Sequence, residues 1–361
     1  MLLWIDKHKL GGNMTVRLFE DSRAIDSMRS SDFDALSAYG EVVDNSIQAN
    51  ARKININFDL VEGNRGYQKI NRIFFADNGE GMDTTTLHSC LKLGFSTRYD
   101  NRDGIGRFGV GMTLAAIHEC KRVEVYSKIE GGEWLYTYID LDEIKSGTMD
   151  LIPAPIEKTP SNAHLVEGDS GTLVIWSKYD RQERNAKLIL EDAGMYFGRT
   201  FRYFIWDDDV EIYLNNEWVP AHDPLYTRTE KTKFPNDPQA EAYDDMSLMW
   251  EVDEVDSNLG RESEIVIKTS LLPEEWRMNQ GAGGSAEVKA RRVDDNEGIS
   301  ILRNRREVFY GHIPYWKNAG PGWSQWEDKD RWWGCEIQFD AILDRAFTVK
   351  ILSVELCQYL N

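Results

Sequence analysis

Residues 31–50 read SDFDALSAYGEVVDNSIQAN. Their apolar members Phe33, Leu36, Ala38, Val42, Val43, Ile47 and Ala49 recur at helical spacing, so the segment is expected to form a helix with one buried face, capped by Ser31 or Asp32. Three strongly polar residues, Glu41, Asp44 and Asn45, interrupt it. Glu41 and Asn45 stand four apart and project from one face, where both can point at a single ligand. The next segments narrow the fold further. KININFDL (53–60) and KINRIFFAD (69–77) are Ile- and Phe-rich runs separated by the turn-like VEGNRGYQ, and read as two strands, most simply an antiparallel pair. The second strand runs directly into the sharp turn Asp77-Asn-Gly-Glu-Gly-Met82, after which Asp83 is placed to cap a short helix ending near Leu91.

Beyond this point LGFSTRYDNRDGIGRFGVGM is polar and rich in glycine and is expected to be mobile, while residues 109–120 suit an apolar helix. Strands KRVEVYSKI and EWLYTYIDL, joined at Gly131-Gly132, come next, then an excursion over about 144–168, and then the strong strand SGTLVIWSKYD. A helix from about Gln182 to Tyr203 and the hairpin VEIYLNNEWVP, turning at Asn215-Asn216, complete a first unit. Residues 221–262 are acidic without a clear period and read as a linker or insertion. EIVIKTSLL, GISILRNRREVFY, RWWGCEIQFD and AFTVKILSVEL are read as strands of a second, smaller α/β unit, and RMNQGAGGSAEV as a surface connection. The expected division is an N-terminal extension (1–29), a first domain (30–220), the linker (221–262) and a second domain (263–361).

Composition excludes several classes. A chain of 361 residues with 41% hydrophobic and 29% charged residues is long enough for two cored domains and unlike a disordered or fibrous one. No apolar run reaches membrane-spanning length, and the opening MLLWIDKHKLGGNM is too short and too soon charged for a signal peptide, so a soluble, cytoplasmic protein with no membrane partner is the expectation. Cys90, Cys120, Cys335 and Cys357 are scattered, with no pairing or zinc-ligand spacing. A net charge of -19 opposes non-specific attraction to nucleic acid, so any DNA contact must be local. The one basic stretch, with Arg291, Arg292, Arg303, Arg305 and Arg306, is interrupted by acidic residues and reads as a solvated or intersubunit surface ahead of a nucleic-acid patch.

Three pieces carry chemistry. Glu41 and Asn45 share a helix face. Asp77 ends a strand beside Gly79 and Gly81, which let a planar group approach the backbone closely. Gly104, Gly106, Gly109 and Gly111 precede a helix whose free amides and dipole suit phosphate. Each piece alone is a weak signal, since a turn, a solvated face or a flexible loop shows the same residues. Their order is the stronger one.

Glu41xxxAsn45 on a helix, the strand ending in DNGEGM, then GFSTR, GRFGVGMT and the SGT of SGTLVIW together resemble the GHKL or Bergerat-fold ATPases, over about residues 30–215. That group includes gyrase and topoisomerase ATPase domains, MutL, the large heat-shock chaperone, histidine kinases and MORC proteins. The local flavour is that of MORC-like and heat-shock-chaperone-like members. The resemblance implies an α/β (α+β) two-layer sandwich, a mixed sheet covered by helices, with a smaller S5-like α/β transducer domain behind it. It makes Glu41 the general base that orients water onto the γ-phosphate of ATP, and Asn45 the ligand of Mg²⁺. Asp77 would take the adenine amino group, Gly81 would pass close to the base, and Gly79 and Met82 count with the nucleotide-binding residues. Thr172 would support Asp77 and a bridging water. Gly106, Gly109, Val110, Gly111 and Thr113 would contact phosphates, and Ser96 and Thr97 would belong to a closing lid.

Histidine kinases carry Asn where Glu41 stands, so the resemblance favours slow Mg-dependent hydrolysis over phosphate transfer to protein. It also implies an ATP-driven homodimer and a partner protein that completes the activity, either as a DNA-associated or anti-phage defence subunit or as a chaperone-like regulatory module. Asp44 is open between bracing the helix and meeting the ligand. Lys350 is the nearest candidate for a cation that senses the γ-phosphate, with an ordinary surface lysine the simpler reading. Arg303 and Arg306 are open between phosphate sensing, partner contact and solvation.

Overall fold

The structure is a computed structural model that describes residues 21–29, 34–92, 111–256, 260–277, 285–311 and 331–344. The first unit holds α1 (Asp21–Met28), α2 (Ala35–Gln48), β1 (Lys53–Glu62), β2 (Gln68–Asp77), α3 (Thr84–Ser89), α4 (Gly111–Glu119), β3 (Cys120–Lys128) and β4 (Leu135–Asp140). Then come α5 (Leu141–Ser146), β5 (Ile156–Glu157), β6 (Gly171–Tyr179), α6 (Ala186–Thr200), α7 (Arg202–Asp207), β7 (Glu211–Leu214) and β8 (Glu217–Trp218). Its eight strands form one mixed sheet in the order β5-β4-β3-β6-β2-β1-β7-β8. β1 and β2 pair antiparallel as expected, and only β1 with β7 is parallel among these pairs.

The buried stripe of α2, Ala38, Tyr39, Val42 and Val43, packs in one core with Ile54, Ile56, Ile73, Phe75 and Trp176 of the sheet and Ala115 and Ala116 of α4. Tyr39 of α2 meets Phe58 edge-on at 5.5 Å and Trp176 at 5.8 Å, so aromatic packing registers helix on sheet. The other face of the sheet buries Phe74, Ala76, Leu173 and Ile175 with Tyr126, Tyr136 and Val166, the last from the excursion between β5 and β6. This mixed α/β architecture, helices on one face of the sheet, is the expected two-layer arrangement.

Local details correct the sequence reading. The cap of α2 is Asp34, whose carboxylate accepts from Ser37 N at 3.1 Å, instead of Ser31 or Asp32, which lie outside the described residues. Asp83 caps α3 as expected, accepting from Thr86 N at 2.7 Å. The helix expected over 182–203 breaks at Phe201 into α6 and α7.

The second unit contains β9 (Glu241–Ala242), β10 (Met246–Asp256), β11 (Gly260–Leu271), α8 (Glu274–Arg277), α9 (Ala286–Ala290), β12 (Ile299–Arg303), β13 (Arg306–Gly311) and β14 (Trp333–Phe339). Its strands run β10-β11-β14-β12-β13, with β9 also on β11. Ile265, Ile299, Ile301, Phe339 and Leu343 form its small core. Two expectations fail here. The segment read as an acidic linker ends in β10, an edge strand on which Met246, Leu248, Met249 and Trp250 are all exposed, so no buried alternation marks it. GISILRNRREVFY, read as one strand, is the hairpin β12–β13. Asn304 and Arg305 adopt φ of 47° and 69° at its turn, a conformation usually signalled by glycine. AFTVKILSVEL and Lys350 lie outside the described residues.

Candidate nucleotide site

Asp77 ends β2 beside the last turns of α2. The residue is 6% exposed and its carboxylate accepts from Ser46 Oγ at 3.0 Å and from the Gly79 amide at 2.9 Å, while Thr172 lies directly across from it in the β2–β6 register. Burial pushes the Asp77 carboxyl up to about 6, against the hydrogen bonds from Gly79, Ser46 and Thr172 that favour its charged form. A buried acceptor of this kind suits a neutral N–H donor such as an exocyclic amine. Thr172 itself hydrogen-bonds Ser127 Oγ at 2.9 Å, and the same Ser127 hydroxyl accepts from Met82 N at 2.8 Å. The turn after Asp77 is thus tied to β3 and β6.

The turn is also clamped to α2. Glu80 N donates to Ala49 O at 2.9 Å, and Asn78 Oδ1 accepts from the amides of Arg52 and Lys53. Gly81 has φ of +72°, and a Cβ there would stand 2.1 Å from Lys128 O, so two independent reasons demand glycine. Ser46, Asn78 and Ser127 were not singled out from the sequence. Ser46 alone had a signal, as the next residue after Asn45.

On α2, Glu41 is partly accessible and Asn45 exposed, on the face predicted for them. Asn45 Nδ2 donates to Glu41 O at 2.7 Å, and among the described residues the amide oxygen has no hydrogen-bond partner. Burial, followed by the neighbouring charge of Asp44, raises the Glu41 carboxyl to about 7, while Arg306 pulls it down. A carboxyl poised there accepts a proton from water near neutral pH. Among the described residues no group of three or more His, Cys, Asp or Glu could hold a metal. The one amide oxygen of Asn45 nevertheless fits Mg²⁺, which takes few protein ligands and completes its shell with phosphate oxygens and water.

Asp44 is resolved by the second unit. It is buried, and Arg306 of β13 donates to it from Nε at 3.2 and 3.0 Å and from Nη2 at 3.0 Å. The other arginines of the basic stretch also have carboxylate partners; the Arg291 and Arg303 side chains are largely buried, whereas those of Arg292 and Arg305 stay 40% exposed, so only part of the stretch is a solvated surface. Arg291 pairs with Asp237, Arg292 with Asp295, Arg303 with Asp344, and Arg305 with Asp207 and Asp208.

Of the expected phosphate residues, Gly111 opens α4, and Thr113 is buried with its hydroxyl 3.4 Å from Cys90 O, a weak bond that a phosphate oxygen would have to displace. Ser96, Thr97, Gly104, Gly106, Gly109 and Val110 lie outside the described residues. Among the described residues Cys90, Cys120 and Cys335 are free thiols, and Cys357 lies outside them. No helix among the described residues is long and apolar enough to cross a membrane. A cavity of about 610 Å³ beside α6, lined by His222, Tyr226 and Trp276 among others, contains none of Glu41, Asn45 and Asp77 and is a separate feature.

Residues 34–172 match the family model described as histidine kinase-, DNA gyrase B- and HSP90-like ATPase. Curated relatives from Arabidopsis thaliana include protein MICRORCHIDIA 7, 23% identical over 198 residues (48% of this chain, 27% of the relative). Protein MICRORCHIDIA 4 is 24% identical over 198 residues (48% and 24%), and protein MICRORCHIDIA 1 is 26% identical over 227 residues (54% and 34%). The chain thus spans about a quarter to a third of the length of these relatives. The matched span begins at the cap of α2 and ends at Thr172, enclosing Glu41, Asn45 and Asp77, and over this span the chain is similar to GHKL-type ATPase domains, with MICRORCHIDIA proteins among its relatives.

Proposed function

We propose that this chain binds Mg-ATP in the pocket between α2 and the β2 turn and hydrolyses it slowly to ADP and phosphate. The observation that carries the reading is the buried Asp77 carboxylate. It is anchored by Ser46 and the Gly79 amide, and so bonded to the residue that follows Asn45. Asp77 accepts from the adenine amino group, with Gly79, Gly81 and Met82 forming the wall against the base. Asn45 would hold Mg²⁺ with its amide oxygen, and the ion would neutralise phosphate charge. Glu41, one turn before Asn45, orients a water and takes its proton. Thr172 supports Asp77 from the neighbouring strand. Gly106, Gly109, Val110, Gly111 and Thr113 supply phosphate contacts, and Ser96 and Thr97 belong to a lid whose closure over ATP drives homodimerisation.

The reading extends to a switch that works with a partner, for which the alternatives are a DNA-associated or anti-phage defence subunit and a chaperone-like regulatory module. The internal pairing of the arginines and the net charge of -19 favour a protein partner over DNA. Single-turnover phosphate release tests the chemistry. Glu41→Ala is expected to bind Mg-ATP as wild type does and to release no phosphate above background. Wild-type turnover in that variant would remove Glu41 from the base role.

A further inference from the structure

We propose that Arg306, carried on the C-terminal sheet, is a positioning residue for Glu41: it clamps Asp44 and thereby fixes the polar face of α2 without touching nucleotide. The inference rests on the ATPase reading above and deepens it. Asp44 lies three residues after Glu41 and next to Asn45, so on the helix it flanks both. Its side chain is 5% exposed. Arg306 Nε reaches both of its oxygens, Nη2 makes a further contact at 3.0 Å, and Nη1 donates to Glu307 O at 3.2 Å. Each guanidinium nitrogen is therefore engaged inside the protein.

The approach is built into the helix. Gly40 precedes Glu41, and a Cβ at that position would stand 2.6 Å from the Tyr196 hydroxyl and 3.3 Å from Arg306 Nη2. A bare backbone there lets the guanidinium and the Tyr196 ring close on α2 from the side of α6. The strand that carries Arg306 is itself held. Arg305 donates to Asp208 at 2.9 Å and to Tyr203 O at 2.9 Å, and Glu307 accepts from Arg199 at 2.6 Å and Arg202 at 3.0 Å. With both of its neighbours fixed to α6 and α7, Arg306 cannot follow α2 if the helix shifts. It acts as a stop against which Glu41 and Asn45 are set, and the C-terminal sheet becomes a structural part of the hydrolytic site.

The test compares wild type with Arg306→Ala, Arg306→Lys and Asp44→Asn in the full chain, measuring Mg-ATP affinity by calorimetry and kcat by phosphate release. Arg306→Ala is expected to lower kcat by roughly tenfold to a hundredfold, the cost of a small misplacement of the base, while the Kd for Mg-ATP stays within about threefold. Arg306→Lys should restore part of kcat, because an ammonium meets one Asp44 oxygen and not both. Amide hydrogen exchange should quicken in α2 and stay unchanged in β1 and β2. Unchanged kcat in Arg306→Ala overturns the proposal, as does a loss of kcat matched by an equal loss of affinity, which would make Arg306 a nucleotide contact. Should Arg306→Ala not fold, Arg306→Lys and Asp44→Asn carry the same comparison. A wild-type protein that binds no nucleotide defeats the ATPase reading and the proposal together, whereas an active wild type with an equally active Arg306→Ala defeats this proposal alone.

Discussion

Replacing Arg202 by alanine should unfold the junction between the two units at markedly lower denaturant. The Arg202 side chain is fully buried and spans two carboxylates, Glu336 at 2.5 Å and Glu307 at 3.0 Å, which are 1% and 3% exposed, and it also donates to Ser300 Oγ at 2.7 Å. Removing one partner of a buried pair costs about 3–5 kcal/mol, because the remaining charge is stranded. The lower end applies here. Glu307 keeps Arg199 at 2.6 Å, and Glu336 keeps the Tyr203 hydroxyl and Gln338 Nε2, each at 2.6 Å. We therefore expect about 3 kcal/mol in urea unfolding followed by tryptophan fluorescence, or a Tm lower by about 4 °C.

The pH dependence sharpens the expectation. In wild type, burial raises the Glu336 carboxyl, but the Arg202 charge and the hydrogen bonds from Arg202, Tyr203 and Gln338 outweigh burial and hold it below its usual range. Its stabilising contribution is thus complete above the unfolded value near 4.5 and is lost as pH falls through the depressed folded value. In Arg202→Ala burial acts with less opposition and the carboxyl rises. The deficit of the variant should then be larger at pH 8 than at pH 5. Converting Arg202 and Glu336 together to leucine should recover more than half of the loss. A deficit below about 1 kcal/mol, or one independent of pH, would refute the stranded-charge reasoning.

Other expectations concern the pocket and the acid limb. Gly81→Ala places a methyl 2.1 Å from Lys128 O at φ of +72°, whereas Gly66→Ala meets the same φ penalty, at +76°, in open space. Only the former should weaken nucleotide binding, by roughly tenfold or more, and equal effects would remove the packing argument. With Asp77 raised to about 6, ATP affinity should fall as pH drops below that value, by up to about tenfold per unit, and Asp77→Asn should be flat over the same range. His222 is pulled down to about 3, first by burial and then by the Arg199 charge, and its Nε2 lies 2.5 Å from Asn296 Nδ2. Its neutral form is favoured in the fold, so stability is retained above the unfolded value near 6.5 and lost as pH falls towards 3. Chemical denaturation should show His222→Gln losing about 2 kcal/mol less than wild type between pH 7 and pH 5, and identical pH slopes would contradict this.

Sequence alone made α2, β1, β2 and the DNGEGM turn legible, because period, local caps and glycine geometry are set by neighbours along the chain. The polar face of α2 was equally legible from the four-residue spacing of Glu41 and Asn45. Where elements depend on distant contacts the signal disappears. The partner of Asp44 stands 262 residues away, and no local rule points from EVVDNS to Arg306. The same holds for Arg202 with Glu307 and Glu336, whose pairing exists only once α7 meets the second sheet. β10 escaped notice because its apolar side chains remain exposed, and the β12–β13 hairpin because Asn304-Arg305 turns without a glycine.

The central claim, a nucleotide pocket organised on Asp77, is tested most directly by calorimetric titration of ATP into wild type and Asp77→Asn at pH 7.5. Wild type should bind in a Mg²⁺-dependent manner. The variant, unable to present a carboxylate to the adenine amino group, should bind at least about tenfold more weakly, as expected for the loss of a buried charged acceptor. Normal ATP binding by a folded Asp77→Asn would contradict the assignment of the pocket.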